Sequence, residues 1–243
     1  MRRVFLGILT ILCVGLTGCM AQAADPAPRR FSTEFIGAMD TVSRMIVYCA
    51  DEAEFIRAVE TVRGELERQE ALLDVHRPDS AVSRVNAAAG GTAACPAELC
   101  ALVGRCQALY ARVPGTNIAM GAVLRLWEQA RASGVLPDAA ALQHAGEHMA
   151  LDQVIADPES EKITIADPEL SLDLGAVGKG HAADAAAARL RELGLTDFLL
   201  DFGESTMVCA GAPPESSGWT VALREPDAVL NLSGRREVPE YSG

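Results

Sequence analysis

The stretch LDLGAVGKGHAAD, residues 172–184, decides how this chain is read. An apolar run ending in Asp173-Leu174 meets three glycines and a lysine, and the alanine-rich run HAADAAAARLREL follows until Gly194 stops it. The pattern predicts a strand over LSLDL, a glycine bend over 175–180 and a helix beyond it. Glycines let a backbone approach a ligand with no Cβ in the way. A helix start presents unpaired N–H groups and about half a positive charge, which favours an anion. Lys179 would add a point charge toward a phosphate, and Asp173 would face a cation or a ligand hydroxyl. Two familiar nucleotide motifs are excluded. Lys179 is followed by Gly180 and no glycine lies five before Gly178, so this is not a P-loop; the glycine order is the reverse of a dinucleotide fingerprint. Spacing alone leaves both a phosphate cradle and a tight strand-to-helix turn open.

Outward toward the C-terminus, DFLLDF, STMVCA and WTVAL read as strands. VIAD and KITIAD, separated by Asp-Pro, read as strands before the glycine bend. The N-terminal half reads mostly as helix. MDTVSRMIVYCA, 39–50, alternates as a strand with Met45, Val47 and Cys49 on one side, and DEAEFIRAVETVRGELERQEALLDV then places Phe55, Val59, Val62, Leu66 and Leu73 near helical spacing. A short helix capped by Asp79 or Ser80 follows, then a helix opened by Pro96 and ended at Pro114-Gly115. A helix over 120–132 carries Val123, Leu124 and Trp127 as core residues, and another starts at Pro137-Asp138. The chain is therefore an α/β (α+β) protein with a helical front half and a sheet-rich back half.

The first eighteen residues stand apart. Arg2 and Arg3 precede an apolar run too short to span a bilayer comfortably, and Leu16-Thr17-Gly18-Cys19 resembles the lipobox of bacterial lipoproteins, with Cys19 as the lipidated residue. Cleavage near Ala21-Gln22-Ala23 is the plainer alternative. Either reading makes an exported protein, and the lipobox reading places it on the periplasmic side, anchored to the membrane by lipid at Cys19. Residues 1–18 are then the signal peptide, 19–30 a tether and 31–243 the domain. Cleavage before Cys19 leaves 225 of the 243 residues and moves the formal charge from −12 to −14. That balance argues against nucleic acid as a partner, because phosphate backbones need clustered Lys and Arg. Cys49, Cys95, Cys100, Cys106 and Cys209 match no disulfide or zinc framework, so they read as buried thiols with at most one disulfide.

HAGEH, residues 144–148, fits the inverted zinc-protease pattern H-x-x-E-H. That chemistry needs both histidines on one helical face and a third ligand. The flanking sequence looks like a helix ending, and Gly146 costs the helix about 1 kcal/mol against alanine. No G-x-S-x-G occurs, so a serine-hydrolase elbow is absent.

Several segments together resemble the ApbE family of flavin transferases. Met39-Asp40-Thr41-Val42 is similar to the family's M-G-T-type strand, and ALLDVHRPDSAVSRVNAAAGG to its R-P-D-S, S-R-x-N stretch. GTNIAMGAVLRLW resembles its segment ending in R-L-W. LDLGAVGKGHAAD matches D-L-G-x-x-x-K-G-x-A-x-D, its most specific element. The resemblance implies a T-fold-like architecture and a Mg²⁺-dependent cleavage of FAD, with FMN passed through its phosphate to a threonine hydroxyl of an exported acceptor protein and AMP released. The acceptor would be a redox-pump or extracellular electron-transfer subunit. Carried onto this chain, Asp173 and Lys179 would touch FAD and the Ala176 carbonyl would ligate Mg²⁺. Met39, His76 and the Gly115-Thr116-Asn117 turn would line the flavin and adenine parts of the site. Asn117 stands where many members have Asp, His181 where Tyr is usual, and Gly203-Glu204 where Gly-Gly is usual. Family members carry further T-S-G, H-x-I-x-P and D-A-x-x-T elements, the last with side-chain metal ligands, so the expectation is a domain incomplete at its C-terminal side. The alternative function is a flavin-nucleotide-binding lipoprotein without catalysis.

Overall fold

Alternation of apolar and polar residues builds the first layer. The computed structural model describes residues 27–38 and 41–222, so Cys19, Met39 and Asp40 lie outside the described residues. Strand β1, Arg29–Ala38, pairs antiparallel with β2, Thr41–Cys49. On β2, Ser43, Met45, Val47 and Cys49 face inward, as the period-two pattern predicts. β1 takes in Arg29 and Arg30, which composition assigns to the tether.

Helix α1, Glu52–Leu73, begins at Asp51, whose side chain accepts from Glu54 N–H at 2.8 Å while Glu54 accepts from Ala50 N–H at 2.8 Å. This exchange satisfies two backbone donors at a helix start. α2, Ala81–Ala87, is capped by the Ser80 hydroxyl. β3, Gly91–Ala94, is absent from the sequence reading; its small residues carry little strand signal. α3 spans Ala97–Arg112, α4 Gly121–Ser133 and α5 Ala139–Glu147, the last capped by Asp138. β4, Val154–Asp157, and β5, Lys162–Ile165, complete a three-stranded antiparallel sheet in the order β3-β5-β4. Helix α6, Gly175–Glu192, leads to β6, Phe198–Phe202, and β7, Thr206–Ala210, which extend the first sheet to the order β1-β2-β6-β7. The expected mixed helix-and-sheet class holds, and the larger sheet joins strands from both ends of the chain.

Two cores result. One lies between the four-stranded sheet and the α1/α6 pair, where Met45, Val62, Leu66, Phe198 and Phe202 are fully buried. Burial of each such side chain contributes about 1.5–3 kcal/mol. Ala182, Ala183, Ala186 and Ala187 give α6 a buried face without bulk, so α1 and the sheet approach it closely. The other core joins α2, α3 and the small sheet with Leu170, Leu172 and Leu174.

Between the cores runs a polar seam. Glu98 of α3 accepts from Arg68 at 2.6 and 3.1 Å, from Gln69 at 2.9 Å and from His181 of α6 at 2.9 Å. Arg105 donates to the other ring nitrogen of His181 at 3.2 Å. A carboxylate only accepts and a guanidinium only donates, so His181 bridges the two, with Nε2 toward Glu98 and Nδ1 toward Arg105. Buried Glu65 joins Arg68, Gln69 and Arg189. Burial works to raise its carboxyl, and the bonds from Arg68, Gln69 and Arg189 outweigh this and hold it low.

Four expectations are corrected. LSLDL is not a strand: Asn86 exchanges both amide bonds with Leu172, and Asp173 N–H reaches Ile118 O, so its backbone groups are satisfied by a side chain and a loop. Helix α6 starts at Gly175, six residues before His181, and absorbs the glycine bend. Trp219-Thr220-Val221-Ala222 is irregular rather than strand; Trp219 donates to Ala210 O at 2.8 Å and lies against Tyr48. On α4 only Gly121 is buried, with Trp127 40% exposed and Val123 and Leu124 half-buried, so these residues are not core.

Candidate functional site

The N-terminal end of α6 opens into a cleft of about 260 Å³ lined by Glu70, Asp74, His76, Glu128, Asp173, Gly175, Gly178 and Lys179, with Leu73, Val75 and Leu174 beneath. Three elements converge there. The end of α1 turns at Asp74, which accepts from His76 N–H at 2.8 Å and so fixes the bend that presents the imidazole. α4 supplies Glu128, 3.5 Å from His76 Nε2. The segment before α6 supplies Asp173, whose Oδ1 accepts from Gly175 N–H at 2.8 Å.

Asp173 thereby holds the Gly175 donor of the first helical turn, and Val177 and Gly178 N–H donate to Leu174 O at 3.0 and 2.7 Å, which leaves Ala176 N–H as the open donor at the positive end of the helix. Lys179 is, among the described residues, the only lysine or arginine lining the cleft. Among the described residues it has no hydrogen bond or ion pair, so its ammonium is available to a ligand. A second hollow of about 400 Å³ continues from the first, sharing Val75, His76, Glu128 and Asp173 and adding Ser83, Asn86, Gly121 and Arg125. Gly121 is required here. A Cβ on it would lie 2.7 Å from Ser171 Oγ and 2.8 Å from Ser171 O, and its N–H donates to that carbonyl.

Of the residues singled out in the sequence, His76, Asp173 and Lys179 share one cleft. Ala176 is the second residue of α6 and exposed; its carbonyl has the helical direction and keeps a second lone pair for another partner. Gly115, Thr116 and Asn117 form the turn before α4 and line neither hollow. Thr116 Oγ1 donates to Val113 O, while Asn117 donates to Met149 O and accepts from Ala119 N–H, so both side chains hold the loop. Met39 lies outside the described residues. Glu70, Asp74 and Glu128 were missed. Glu70 and Glu128 fall on helices outside any quoted motif, Asp74 lies within the R-P-D-S-type stretch without a role there, and only the fold brings the three beside Asp173.

The donor set is carboxylate oxygen, which suits a hard divalent cation such as Mg²⁺. These carboxylates do not close a cage by themselves. Among the described residues only His144, His148 and Glu169 bring three metal-ligating atoms within 4.8 Å of one another. A cation at the α6 end would therefore share its coordination with oxygens of a bound ligand.

Comparison with known proteins identifies the fold. The ApbE family model matches residues 39–239. An FAD:protein FMN transferase of Klebsiella pneumoniae (strain 342) is 29% identical over 237 residues, covering 91% of this chain and 67% of that protein. One of Treponema pallidum (strain Nichols) is 28% identical, covering 91% of this chain and 64% of that protein. Among solved structures, the Pseudomonas stutzeri flavinyl transferase ApbE in its apo form superposes with a TM-score of 0.71 at 22% identity, over 81% of this chain and 66% of that one. The flavin transferase ApbE from Vibrio cholerae gives 0.70 at 19% identity, over 82% and 65%. The chain thus spans about two thirds of the length of these relatives.

Proposed function

Because the chain belongs to the ApbE family, we propose that it transfers FMN from FAD to a protein. In this reading a threonine hydroxyl of the acceptor attacks the FMN phosphorus. The new bond is threonine oxygen to phosphorus, the bond that breaks is the pyrophosphate P–O bond, AMP leaves with the bridging oxygen, and the hydroxyl proton passes to solvent water. The observation that carries it is the joining of His76, Asp173 and Lys179 in one cleft at the start of α6. The positive start of α6, through Ala176 N–H, and Lys179 would hold the pyrophosphate, each charge-assisted contact contributing about 1.5–3 kcal/mol. Asp173, Glu128 and the Ala176 carbonyl would hold Mg²⁺ together with phosphate oxygens. The ion, when bound, offsets charge on the breaking bond and polarises the phosphoryl group.

The acceptor is an exported redox protein in this proposal, and the enzyme acts on the periplasmic side, tethered by lipid at Cys19. The acidic balance of the chain fits a protein partner better than nucleic acid.

The test is incubation of the whole chain with FAD, Mg²⁺ and an acceptor domain carrying the target threonine, followed by in-gel flavin fluorescence. A fluorescent acceptor band that vanishes with a threonine-to-valine acceptor is expected. Binding of one equivalent of FAD with no labelling, with or without Mg²⁺, would replace this reading by that of a flavin-nucleotide-binding lipoprotein.

A further inference from the structure

We propose that His144, His148 and Glu169 form a binding site for a borderline divalent d-block cation, with Zn²⁺ the best fit. The site does not depend on flavin transfer and differs in chemistry from the oxygen-lined end of α6.

His144 stands in the last turn of α5 and His148 is the residue that ends the helix. Spacing of four places both rings on one face, where they meet edge to face with centroids 4.9 Å apart. The third ligand comes from the loop after β5, far in sequence. Glu169 Oε2 is 2.9 Å from His144 Nε2, and Glu169 Oε1 is 3.6 Å from His148 Nε2. For bonds of about 2.0–2.2 Å to nitrogen and oxygen, a tetrahedral zinc site places its ligand atoms about 3.3 Å apart. The two glutamate separations lie on either side of that edge, and the three ligand atoms all lie within 4.8 Å of one another, so the donors need only draw together around an ion.

A fourth residue sets the geometry. Asp167 accepts from His148 Nδ1 at 2.8 Å and also from Glu169 N–H at 2.8 Å. One carboxylate thus fixes the imidazole with Nε2 directed at the ligand position and holds the backbone that carries Glu169. A carboxylate behind a ligating histidine is the usual outer partner of a zinc-bound imidazole. Asp167 is largely buried, whereas His144 and Glu169 are exposed, so the site is braced on its inner side and open on its outer side.

Two imidazoles and one carboxylate favour Zn²⁺, Cu²⁺ or Ni²⁺ over Mg²⁺, which prefers an all-oxygen octahedron. Three protein ligands leave a coordination position. It opens on a cleft of about 510 Å³ in which His144, His148 and Glu169 line one wall and Arg125 and Asn86 belong also to the hollow beside Asp173. The H-x-x-E-H pattern thereby gains its third ligand, on a helix that ends at its second histidine.

The test uses the whole chain stripped with chelator and titrated with Zn²⁺ against a competing chromophoric chelator, with Co²⁺ absorption as the spectroscopic readout. One equivalent of Zn²⁺ should bind, excess Mg²⁺ should not displace it, and Co²⁺ should show tetrahedral visible bands without thiolate charge transfer. His144→Ala and Glu169→Gln should each weaken binding at least about 10-fold, and Asp167→Asn by about 10–100-fold through His148. His144 is exposed, so its alanine variant tests the site without threatening the fold. Equal Zn²⁺ affinity in wild type and His144→Ala, or a cobalt spectrum dominated by cysteine ligation, would overturn the proposal.

Discussion

Replacing Glu98 with glutamine tests the polar seam that joins α1, α3 and α6. The two Arg68 bonds at 2.6 and 3.1 Å, with those from Gln69 and His181, favour the ionised carboxylate, and they hold the Glu98 carboxyl at about 2 against its ordinary 4.5, although burial acts to raise it. At full strength that gap corresponds to roughly 3 kcal/mol. The side chain is 30% exposed and faces an exposed arginine, so solvent screening reduces this to about 1.5–2 kcal/mol. The sign follows from the direction. A carboxyl held low in the folded state stabilises it fully above pH 4.5, and the contribution is lost as pH falls through about 2. Glutamine mimics the protonated group. Urea unfolding followed by circular dichroism at pH 7, 4 and 2 should find wild type more stable than Glu98→Gln by about 1.5–2 kcal/mol at pH 7, with less than about 0.5 kcal/mol remaining near pH 2. Comparing the two proteins at each pH cancels the other carboxylates titrating in the same window. A difference that stays constant from pH 7 to pH 2 would refute the reasoning.

Lys179→Ala should weaken FAD binding by about 1.5–3 kcal/mol, roughly 10- to 100-fold by fluorescence titration, because a charge-assisted phosphate contact disappears. Unchanged affinity would mean that the ammonium points elsewhere. Gly180→Ala should raise thermal stability by up to about 1 kcal/mol, since the glycine is helical and a Cβ there meets nothing within 4 Å; loss of FAD affinity in the same variant would place the nucleotide against that face. Glu204→Gly should stabilise the fold by about 1 kcal/mol in urea melts, because Glu204 holds φ +55°, a conformation that costs a side chain bearing Cβ. No gain there would mean that the side-chain interactions of Glu204 offset the backbone cost.

Where one physical signal dominated, the sequence was legible. The inward Met45, Val47 and Cys49 of β2 follow from alternation, and α1 begins at the Asp51 cap that its acidic start announces. β1 has the same alternation, with Phe31, Thr33 and Phe35 less exposed than their neighbours, but its arginines resemble a tether. LSLDL illustrates the opposite case. Its alternation is real, since Leu170, Leu172 and Leu174 are buried, yet a side-chain amide from Asn86 replaces the strand partner. Periodicity reports which side chains turn inward; it does not report what satisfies the backbone. In the cleft, His76, Asp173 and Lys179 are the residues that the family resemblance singles out, whereas Glu70 and Glu128 carry no local signal and Asp74 sits in the same quoted stretch as His76 without one of its own. Glu169 was invisible for the same reason, being 21 residues beyond His148 and next to it only through the β5 loop.

The composition of the cleft bears on how a nucleotide would enter it. Glu70, Asp74, Glu128 and Asp173 line it against one lysine. Two like charges about 6 Å apart repel by roughly 3 kcal/mol at an effective dielectric of about 20. A pyrophosphate facing several carboxylates is therefore repelled by more than one lysine and one helix end can offset. The same carboxylates become favourable once a divalent cation lies between them and the phosphate oxygens, because each repulsive pair is then outweighed by two attractions to the ion. Nucleotide and metal should accordingly bind as a pair, each poorly without the other. That mutual dependence also fits a protein set that does not close around an ion by itself: in the proposed reading the missing oxygens would come from the ligand.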